Sequence, residues 1–444
     1  MEATAPQFQA PAGTIIGWRA EGGVLRATGI RYARAGRFRP PVAEPVAQAP
    51  ILATALAPAC PQAADPLLDE VLRNLFAGIR YDEDCLRLSI TLPADVRPDE
   101  QLPVLVWVHG GSYVTGAGDL PIYDPTMLVR EQRVVFVAVT YRIGLLGFLG
   151  SAAGTPPNLG LLDLREALRW VQRNIAAFGG DPAGVTLLGH SSGGDAIAHL
   201  MIAEGSAGLF RRAILHSSPL GLAPRRQAMS RAMVAAAGTF PADAPVGEVL
   251  AREARVVQAA QGFGLKSGMP FGTQYGAYPL PSEAAAGPAW AAVAPQVDVL
   301  IGATSQETKF FALASPRFRW IPGVPLLGPL LSRLLVGLSS RLIYQQPAVE
   351  FARRHARAGG RAYAFTIDYQ PLGSDFGGAH TIDLPLLLGT PASWAATPLL
   401  GQERWADVAA AGRAVRQLWA DFARSGELPA RTALPGVLRL HRVS

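Results

Sequence analysis

The stretch GVTLLGHSSGGDAIAHLMIAE, residues 184–204, decides the fold of this chain. Its first part, GVTLL, is a short continuous apolar run, typical of a strand buried on both faces. Its last part, GGDAIAHLMIAE, is a plausible helix. Between them, GHSSGG places glycines on both sides of two adjacent serines, as a tight turn requires. The order strand, tight turn, helix raises the question of whether one serine is presented at the turn for chemistry.

Ser191 rather than Ser192 fits the pattern G-x-S-x-G, because His190 stands where Ser192 would need a leading glycine. The pattern is common by chance, but a strand before it and a helix after it indicate a nucleophile elbow. The glycines permit a strained backbone at the serine, and the helix N-terminus favours developing negative charge. We therefore predict that Ser191 is the nucleophile and that the backbone N–H of Ser192 contributes to an oxyanion hole.

The rest of the chain predicts an α/β fold. Near-continuous apolar runs typical of buried parallel strands occur at 103–108, 133–140, 184–188, 211–215, 297–301 and 361–367. Apolar residues recur at helical spacing between Leu164 and Phe178, and Gly179 ends that pattern. We expect a mostly parallel central sheet flanked by helices. Residues 1–444 are interpreted as one catalytic domain, with cap-like insertions at roughly 219–295 and 311–346.

Composition excludes several other classes of protein. The chain has 444 residues, enough for a large core, and a net charge of +6 from scattered arginines, so nucleic-acid binding is not expected. The N-terminus lacks the pattern of a signal peptide, which predicts a cytoplasmic enzyme, or a secreted one if the chain is a trimmed mature form.

The apolar stretch 320–338 is interrupted by Pro, Gly and Arg. It is interpreted as a cap element rather than a membrane-surface patch, and no stable membrane insertion is expected.

The motif HGGSY, residues 109–113, follows the apolar run 103–108. A Gly-Gly turn lets backbone amides approach a carbonyl oxygen, although such turns also occur without function. Its place after a strand and before the elbow favours an oxyanion loop made of Gly110, Gly111 and Ser112.

The general base is expected to be a histidine that follows the serine in the chain. His380 is the best candidate because it lies on a Gly-rich loop after a predicted strand. Glu307, which follows the predicted strand 297–301, is the candidate acid, and Asp375 is its rival. The other downstream histidines are His199, His216, His355 and His441.

These motifs together resemble the type-B carboxylesterases, the family of the para-nitrobenzyl esterases and cholinesterases. The resemblance runs nearly end to end. It rests on ACPQ (59–62), EDCLRLSI (83–90), HGGSY (109–113), TYRIGLLGFL (140–149), the signature at 158–194, LFRRAILHSS (209–218), IGATSQETKFF (301–311) and GGAHTIDLPLLLG (377–389). It implies an α/β-hydrolase fold, a triad of Ser191, Glu307 and His380, and a disulfide between Cys60 and Cys85. The missing signal peptide instead favours free thiols in a reducing compartment.

The chain departs from the family at the site itself. His190 and Ser192 replace the usual Glu and Ala of the elbow, and Asp195 adds a carboxylate after it. Ser112 replaces a glycine of the oxyanion loop, and Thr308 follows the acid where the family has Gly.

The sequence therefore predicts a serine carboxylesterase that hydrolyses uncharged esters without a metal or cofactor. An amidase or carbamate hydrolase with the same triad is the main alternative, because the acyl chemistry is shared. A non-catalytic binding member of the family is a further alternative, although the nucleophile, acid and base positions are all filled.

Overall fold

The computed structural model describes residues 5–444, apart from 74, 98–99, 152–153, 240, 242, 315–319, 321–322, 325–326, 395 and the side chains of 67 and 314. The described strands are β1 (Gln7–Ala10), β2 (Gly13–Ile16), β3 (Trp18–Ala20), β4 (Val24–Arg31), β5 (Ala33–Arg34), β6 (Val42–Ala43), β7 (Ile51–Leu52), β8 (Arg87–Pro93), β9 (Leu102–Val108), β10 (Val135–Val139), β11 (Gly180–His190), β12 (Arg212–His216), β13 (Asp298–Thr304), β14 (Ala362–Ile367), β15 (Arg431–Leu434) and β16 (Leu438–Val443). The described α-helices are α1 (Pro66–Leu72), α2 (Thr126–Gln132), α3 (Gly144–Gly147), α4 (Leu159–Asn174), α5 (Ser192–Leu200), α6 (Gln227–Ala237), α7 (Val246–Ala259), α8 (Glu283–Val293), α9 (Lys309–Ala314), α10 (Gly328–Ser340), α11 (Gln346–Arg357), α12 (Leu384–Leu387), α13 (Pro391–Trp394) and α14 (Trp405–Ser425).

One large mixed sheet organises the chain. Its strand order is β15-β16-β14-β13-β12-β11-β9-β10-β8-β4-β3. The six central strands, from β14 to β10, are mutually parallel, whereas the strands at both edges pair antiparallel. The central strands are buried along nearly their whole length, as a sheet covered by helices on both faces requires. The carboxyl ends of the parallel strands therefore share one edge, where ligands bind in open α/β sheets.

The predicted α/β-hydrolase fold is confirmed. Each of the six predicted apolar runs overlaps one central strand, from β9 to β14. The predicted helical pattern corresponds to α4, which continues as a 3₁₀ turn to Phe178. Gly179 ends it in a left-handed conformation with φ of 74°, which glycine adopts without steric cost.

The two proposed insertions contain helices. The first, 219–295, includes α6, α7 and α8, and the second, 311–346, includes α10. Residues 240 and 242 of the first insertion and 315–319, 321–322 and 325–326 of the second lie outside the described residues. The assignment of 1–444 to one domain with two cap-like insertions stays a prediction. Among the described residues, no helix has the length and apolar character needed to cross a bilayer.

Candidate active site

Ser191 stands at the turn between β11 and α5. Its backbone has φ of 57° and ψ of −126°, a strained conformation for a residue with a side chain. The surrounding packing explains the glycines: a Cβ at Gly193 would lie 2.1 Å from the carbonyl oxygen of Val108. The Ser191 N–H donates to the carbonyl of His216 at 2.8 Å, which joins the turn to the end of β12. The turn therefore has the geometry of the predicted elbow.

The HGGSY loop packs directly against this turn. A Cβ on Gly110 would come within 2.7 Å of the His190 carbonyl oxygen and 3.0 Å of the Ser191 Cβ. Gly111, Ser112 and Tyr113 all have positive φ, at 112°, 54° and 61°. Within the described residues, no hydrogen bond uses the N–H of Gly111, Ser112 or Ser192. These amides are thus available to an oxygen bound beside Ser191.

Tyr113 connects the HGGSY loop to α5 through two hydrogen bonds. Its N–H donates to Ser192 Oγ at 3.2 Å, and its hydroxyl donates to Asp195 Oδ2 at 2.7 Å. All three residues are buried, and this burial, with the nearby Asp195 charge, raises the pKa of the Tyr113 phenol well above its usual value. From the sequence, the side chains of Ser192 and Asp195 were known only as departures from the family, although the Ser192 N–H was predicted as an oxyanion donor. Their shared partner is a loop residue whose contacts only the fold reveals.

Glu307 and His380 are hydrogen-bonded to each other. The Nδ1 of His380 donates to Oε2 of Glu307, and the His380 N–H donates to the Glu307 carbonyl at 3.1 Å. The other carboxylate oxygen, Oε1, accepts from Ser217 Oγ at 2.5 Å and from the Thr304 N–H at 2.6 Å. Because a carboxylate accepts from Nδ1, Nε2 is the nitrogen of His380 left for a substrate or a nucleophile. Asp375, the rival acid, is solvent-exposed.

A cavity of about 80 Å³ brings the predicted residues together. Ser191, His380, Gly110, Gly111 and Ser112 all line it. The remaining wall is largely apolar and includes leucines of α1 and the rings of Phe310 and Phe311. The volume corresponds to about two or three water molecules. A long acyl chain must therefore extend through the mouth or displace lining side chains.

Aromatic rings surround His380. The ring centroids of Phe311 and Tyr344 each lie 5.3 Å from that of His380, and Phe310 lies 6.3 Å away. These residues were not among those predicted from the sequence. Phe310 and Phe311 follow Glu307 so closely in the chain that their position near the candidate base could have been predicted, whereas nothing in the sequence pointed to Tyr344.

The other candidate histidines have structural partners or lie elsewhere. His199 in α5 contacts the Asp195 carbonyl and the Tyr275 hydroxyl, and His355 in α11 contacts the Val297 carbonyl. His441 is exposed on β16. His216 ends β12 but is not among the residues that line the cavity with Ser191.

Behind His380, Asp383 lies between two histidines. The His216 Nδ1 donates to Asp383 Oδ2 at 2.5 Å, and the His190 Nε2 lies 3.5 Å from Asp383 Oδ1. The His190 ring centroid is 4.7 Å from that of His380. Burial raises the pKa of the Asp383 carboxyl, but the adjacent His190 and the hydrogen bond from His216 outweigh it and lower that pKa well below its usual range. The buried group is therefore an anion.

Cys60 and Cys85 are buried and are not joined by a disulfide in the structure. Their side chains are nevertheless in contact, and this contact with Cys60, together with burial, raises the pKa of the Cys85 thiol well above its usual value. The disulfide that the resemblance implies stays a prediction.

Comparison with known proteins identifies the family of this chain. Residues 4–319 match the model of the carboxylesterase family. The chain is 36% identical over 425 residues to a probable N-octanoylanthranilate hydrolase of Rhodococcus erythropolis, covering 94% of this chain and 93% of that protein. It is 40% identical over 217 residues to the para-nitrobenzyl esterase of Bacillus subtilis, covering 47% of this chain and 43% of the relative. A liver carboxylesterase of Sus scrofa is 41% identical over 171 residues, 37% of this chain and 30% of that protein.

Solved structures show the same likeness over almost the whole chain. A thermophilic PNB esterase is similar with a TM-score of 0.80 and 26% identity, covering 99% of this chain and 98% of the other. A carboxylesterase of Geobacillus stearothermophilus is similar with a TM-score of 0.74 and 25% identity, covering 98% and 97%. With a family match over more than half of its length and a relative aligned nearly end to end, the chain belongs to the carboxylesterase family and is a carboxylic ester hydrolase of the serine hydrolase class.

Proposed function

We propose that the chain hydrolyses uncharged carboxylic esters through a Ser191–His380–Glu307 triad and an acyl-enzyme intermediate. The observation that carries this proposal is the Nδ1 hydrogen bond from His380 to the buried Glu307, next to the strained Ser191 on the same cavity. A nucleophile, a base whose second nitrogen is oriented by a carboxylate, and free amide donors are the parts that acyl transfer requires.

The proposed first half-reaction follows from these roles. Ser191 Oγ attacks the ester carbonyl carbon while His380 Nε2 accepts its proton. The carbonyl π electrons move onto oxygen, and the N–H groups of Gly111, Ser112 and Ser192 stabilise that oxyanion, with Gly110 shaping the loop. When the C–O bond to the leaving alcohol breaks, His380 returns the proton to it, which leaves Ser191 acylated.

The second half-reaction uses the same groups with water. His380 removes a proton from the water that attacks the acyl carbon, and the acid product departs as Ser191 recovers its proton. Glu307 stabilises the imidazolium in both halves and keeps Nδ1 protonated. The three donors to Glu307, namely His380, Ser217 and Thr304, support this role because they hold the carboxylate in one orientation. No step requires a metal or a cofactor.

Amide hydrolysis is the second candidate function. One observation favours it: the relative aligned over 94% of this chain is named for the hydrolysis of an N-acyl compound. The same triad serves if the leaving nitrogen is protonated before it departs. Turnover of para-nitrophenyl butyrate and of butyryl para-nitroanilide by the same preparation distinguishes the two, since the acyl groups are identical.

The test of the main proposal is hydrolysis of para-nitrophenyl acetate, butyrate and octanoate by the unchanged chain, Ser191→Ala and Ser192→Ala. We expect Ser191→Ala to abolish turnover of all three esters. Ser192→Ala is the comparison variant: it keeps Ser191 and the Ser192 backbone N–H and removes the neighbouring hydroxyl, which accepts from the Tyr113 N–H, so it should retain turnover that Ser191→Ala loses. Full activity in Ser191→Ala would overturn the proposal, and the rank order of the esters gives the acyl length that the cavity accepts.

For the compartment and the architecture, we propose a cytoplasmic enzyme with a single catalytic domain. A cytoplasmic enzyme would keep Cys60 and Cys85 as thiols, since the cytosol is a reducing environment. The continuous eleven-stranded sheet, which runs from β3 near the start of the chain to β15 and β16 near its end, supports a single domain.

A further inference from the structure

The helix α10 exposes an unusual number of leucines. Six leucines along α10 and the turn after it are between 44% and 59% exposed: Leu330, Leu331, Leu334, Leu335, Leu338 and Leu342. Their spacing of three and four residues places them along one broad side of the helix. Single exposed leucines are ordinary, but a contiguous apolar patch indicates an interaction surface.

The surrounding sequence is purely basic. Between Glu307 and Glu350 there is no Asp or Glu, whereas the segment contains Lys309, Arg317, Arg319, Arg333 and Arg341. Arg333 and Arg341, which lie on α10 and directly after it, are exposed and form no ion pair with an acidic side chain in the described part of the chain. An apolar helix face accompanied by positive charge is complementary to the surface of an anionic bilayer.

The same charge argues against a second copy of the chain as the occupant. A two-fold symmetric contact would bring the patch against itself, so that Arg333 and Arg341 of one copy would face those of the other, and α10 itself has no acidic residue. The patch contains no groups of its own that would neutralise this repulsion.

The opposite side of α10 is hydrogen-bonded to the residue that follows Glu307. Thr308, next to Glu307, donates its N–H to Ser340 Oγ at 3.0 Å and its hydroxyl to the Val336 carbonyl at 3.1 Å. The turn after α10 places the Tyr344 ring 5.3 Å from that of His380. The exposed leucines are therefore separated from Glu307 and His380 only by the width of α10 itself.

We propose that α10 is a docking surface through which the enzyme binds the face of an anionic lipid bilayer, lying on the membrane rather than spanning it. The six leucines enter the interfacial region, and Arg333 and Arg341 contact the lipid phosphates. This proposal reverses the interpretation from sequence, which favoured a cap element over a membrane-surface patch, because the leucines are exposed. It places the active site where apolar esters partition.

The test is vesicle flotation with the Ser191→Ala protein, so that its result does not depend on catalysis. Vesicles of phosphatidylcholine alone are compared with vesicles of equal parts phosphatidylcholine and phosphatidylglycerol. We expect the protein to float with the anionic vesicles and to be released by high salt. We expect the double variant Leu334→Glu, Leu338→Glu to bind them about tenfold or more weakly.

Leu265→Glu is the matched control, because Leu265 is 60% exposed but lies outside α10. It is expected to float like the parent protein. Circular dichroism establishes that each variant is folded. The proposal is overturned if the parent stays unbound, or if the α10 double variant floats equally well. It is also overturned if light scattering shows a dimer that the α10 double variant alone dissociates, because the patch then binds a second copy.

Discussion

His216 donates a 2.5 Å hydrogen bond from Nδ1 to Asp383 Oδ2, which ties the end of β12 to the loop of the candidate base. Trp419 of α14 donates to the other ring nitrogen of His216 at 2.6 Å. The indole N–H can only donate, so Nε2 of His216 accepts and the ring proton is on Nδ1. The two buried hydrogen bonds therefore run in one direction, from Trp419 to His216 and from His216 to Asp383. They hold in place the segment that follows His380.

Removing the Asp383 carboxylate should destabilise the protein. Asp383→Ala leaves the His216 N–H buried without its acceptor, and we expect the free energy of unfolding to fall by about 3 kcal/mol. Asp383→Asn should lose less, because its amide oxygen still accepts from Nδ1. Urea denaturation at pH 7 measures both. Equal stability of Asp383→Ala and the parent would show that this hydrogen-bond chain contributes nothing.

The stability that the Asp383 carboxylate contributes should decrease at low pH. The folded pKa of Asp383 lies below its ordinary value of 3.8, so its charge stabilises the fold above that pH. The contribution is lost as the pH falls below 3.8. The difference between Asp383→Asn and the parent should therefore be full at pH 7 and should shrink below pH 4.

The Tyr113 hydroxyl should matter for rate more than for substrate binding. Tyr113→Phe removes the hydrogen bond to Asp195 and loosens the oxyanion loop, so we expect kcat to fall by about tenfold with little change in KM. The matched control is Tyr32→Phe. Tyr32 is equally buried and donates to the Thr140 carbonyl at 2.9 Å. A similar loss of stability in both variants, with loss of kcat only in Tyr113→Phe, would establish the positioning role.

A feature can be predicted from the sequence when it depends on a local pattern, but not when it depends on residues far apart in the chain. Each central strand could be predicted because a strand buried on both faces must be continuously apolar, as β10 is. The proximity of Glu307 and His380 could be predicted because each follows such a strand, and parallel strands bring their ends together. The pairing of Tyr113 with Asp195 joins residues 82 positions apart through a single hydrogen bond, which leaves no local pattern.

The cap-like insertions show how far the spacing of apolar residues predicts which face of a helix is buried. In the segment 219–295, the residues buried by α6, Met229, Met233 and Ala237, recur every four positions, a helical spacing that agrees with their burial. The exposed leucines of α10 illustrate the converse case. Their spacing is typical of a helix that buries one face in the core, and only the fold reveals that this face is exposed to solvent.

Glu253 of α7 should make the stability of the cap depend on pH. Its buried carboxylate accepts the Leu145 N–H at 2.7 Å, and burial raises its pKa to about 7 from 4.5. Because the folded pKa is the higher one, the folded state binds the proton more tightly between these values. The free energy of unfolding should therefore fall as the pH rises from 4.5 to 7, by about 3 kcal/mol in total.

Glu253→Gln should remove this dependence, since its amide oxygen can still accept from Leu145 but does not ionise. We expect the variant to gain stability relative to the parent at pH 8 and to match it near pH 5. Thermal denaturation across that range measures the effect. Glu248→Gln, an exposed position on the same helix, is the control and should follow the parent. A parallel shift of Glu253→Gln at every pH would contradict the prediction.

The cytoplasmic proposal predicts that Cys60 and Cys85 are both reduced. Protein purified without reductant should then show two thiols after unfolding and almost none before it, because both side chains are buried and the pKa of Cys85 is raised. Ellman titration with and without guanidinium measures this. Finding no thiol even after unfolding would favour the disulfide implied by the resemblance.

Glu307 and Asp375 provide a direct test of which carboxylate acts with His380. Glu307→Gln keeps the size of the side chain but offers an amide to Nδ1, which favours the tautomer with the proton on Nε2 and removes the base. We expect kcat on para-nitrophenyl butyrate to fall by about 10⁴-fold at neutral pH. Asp375→Asn should leave it unchanged, because that carboxylate is exposed on the loop before His380. The opposite pattern would make Asp375 the acid and would reduce the hydrogen bond between Glu307 and His380 to a structural contact.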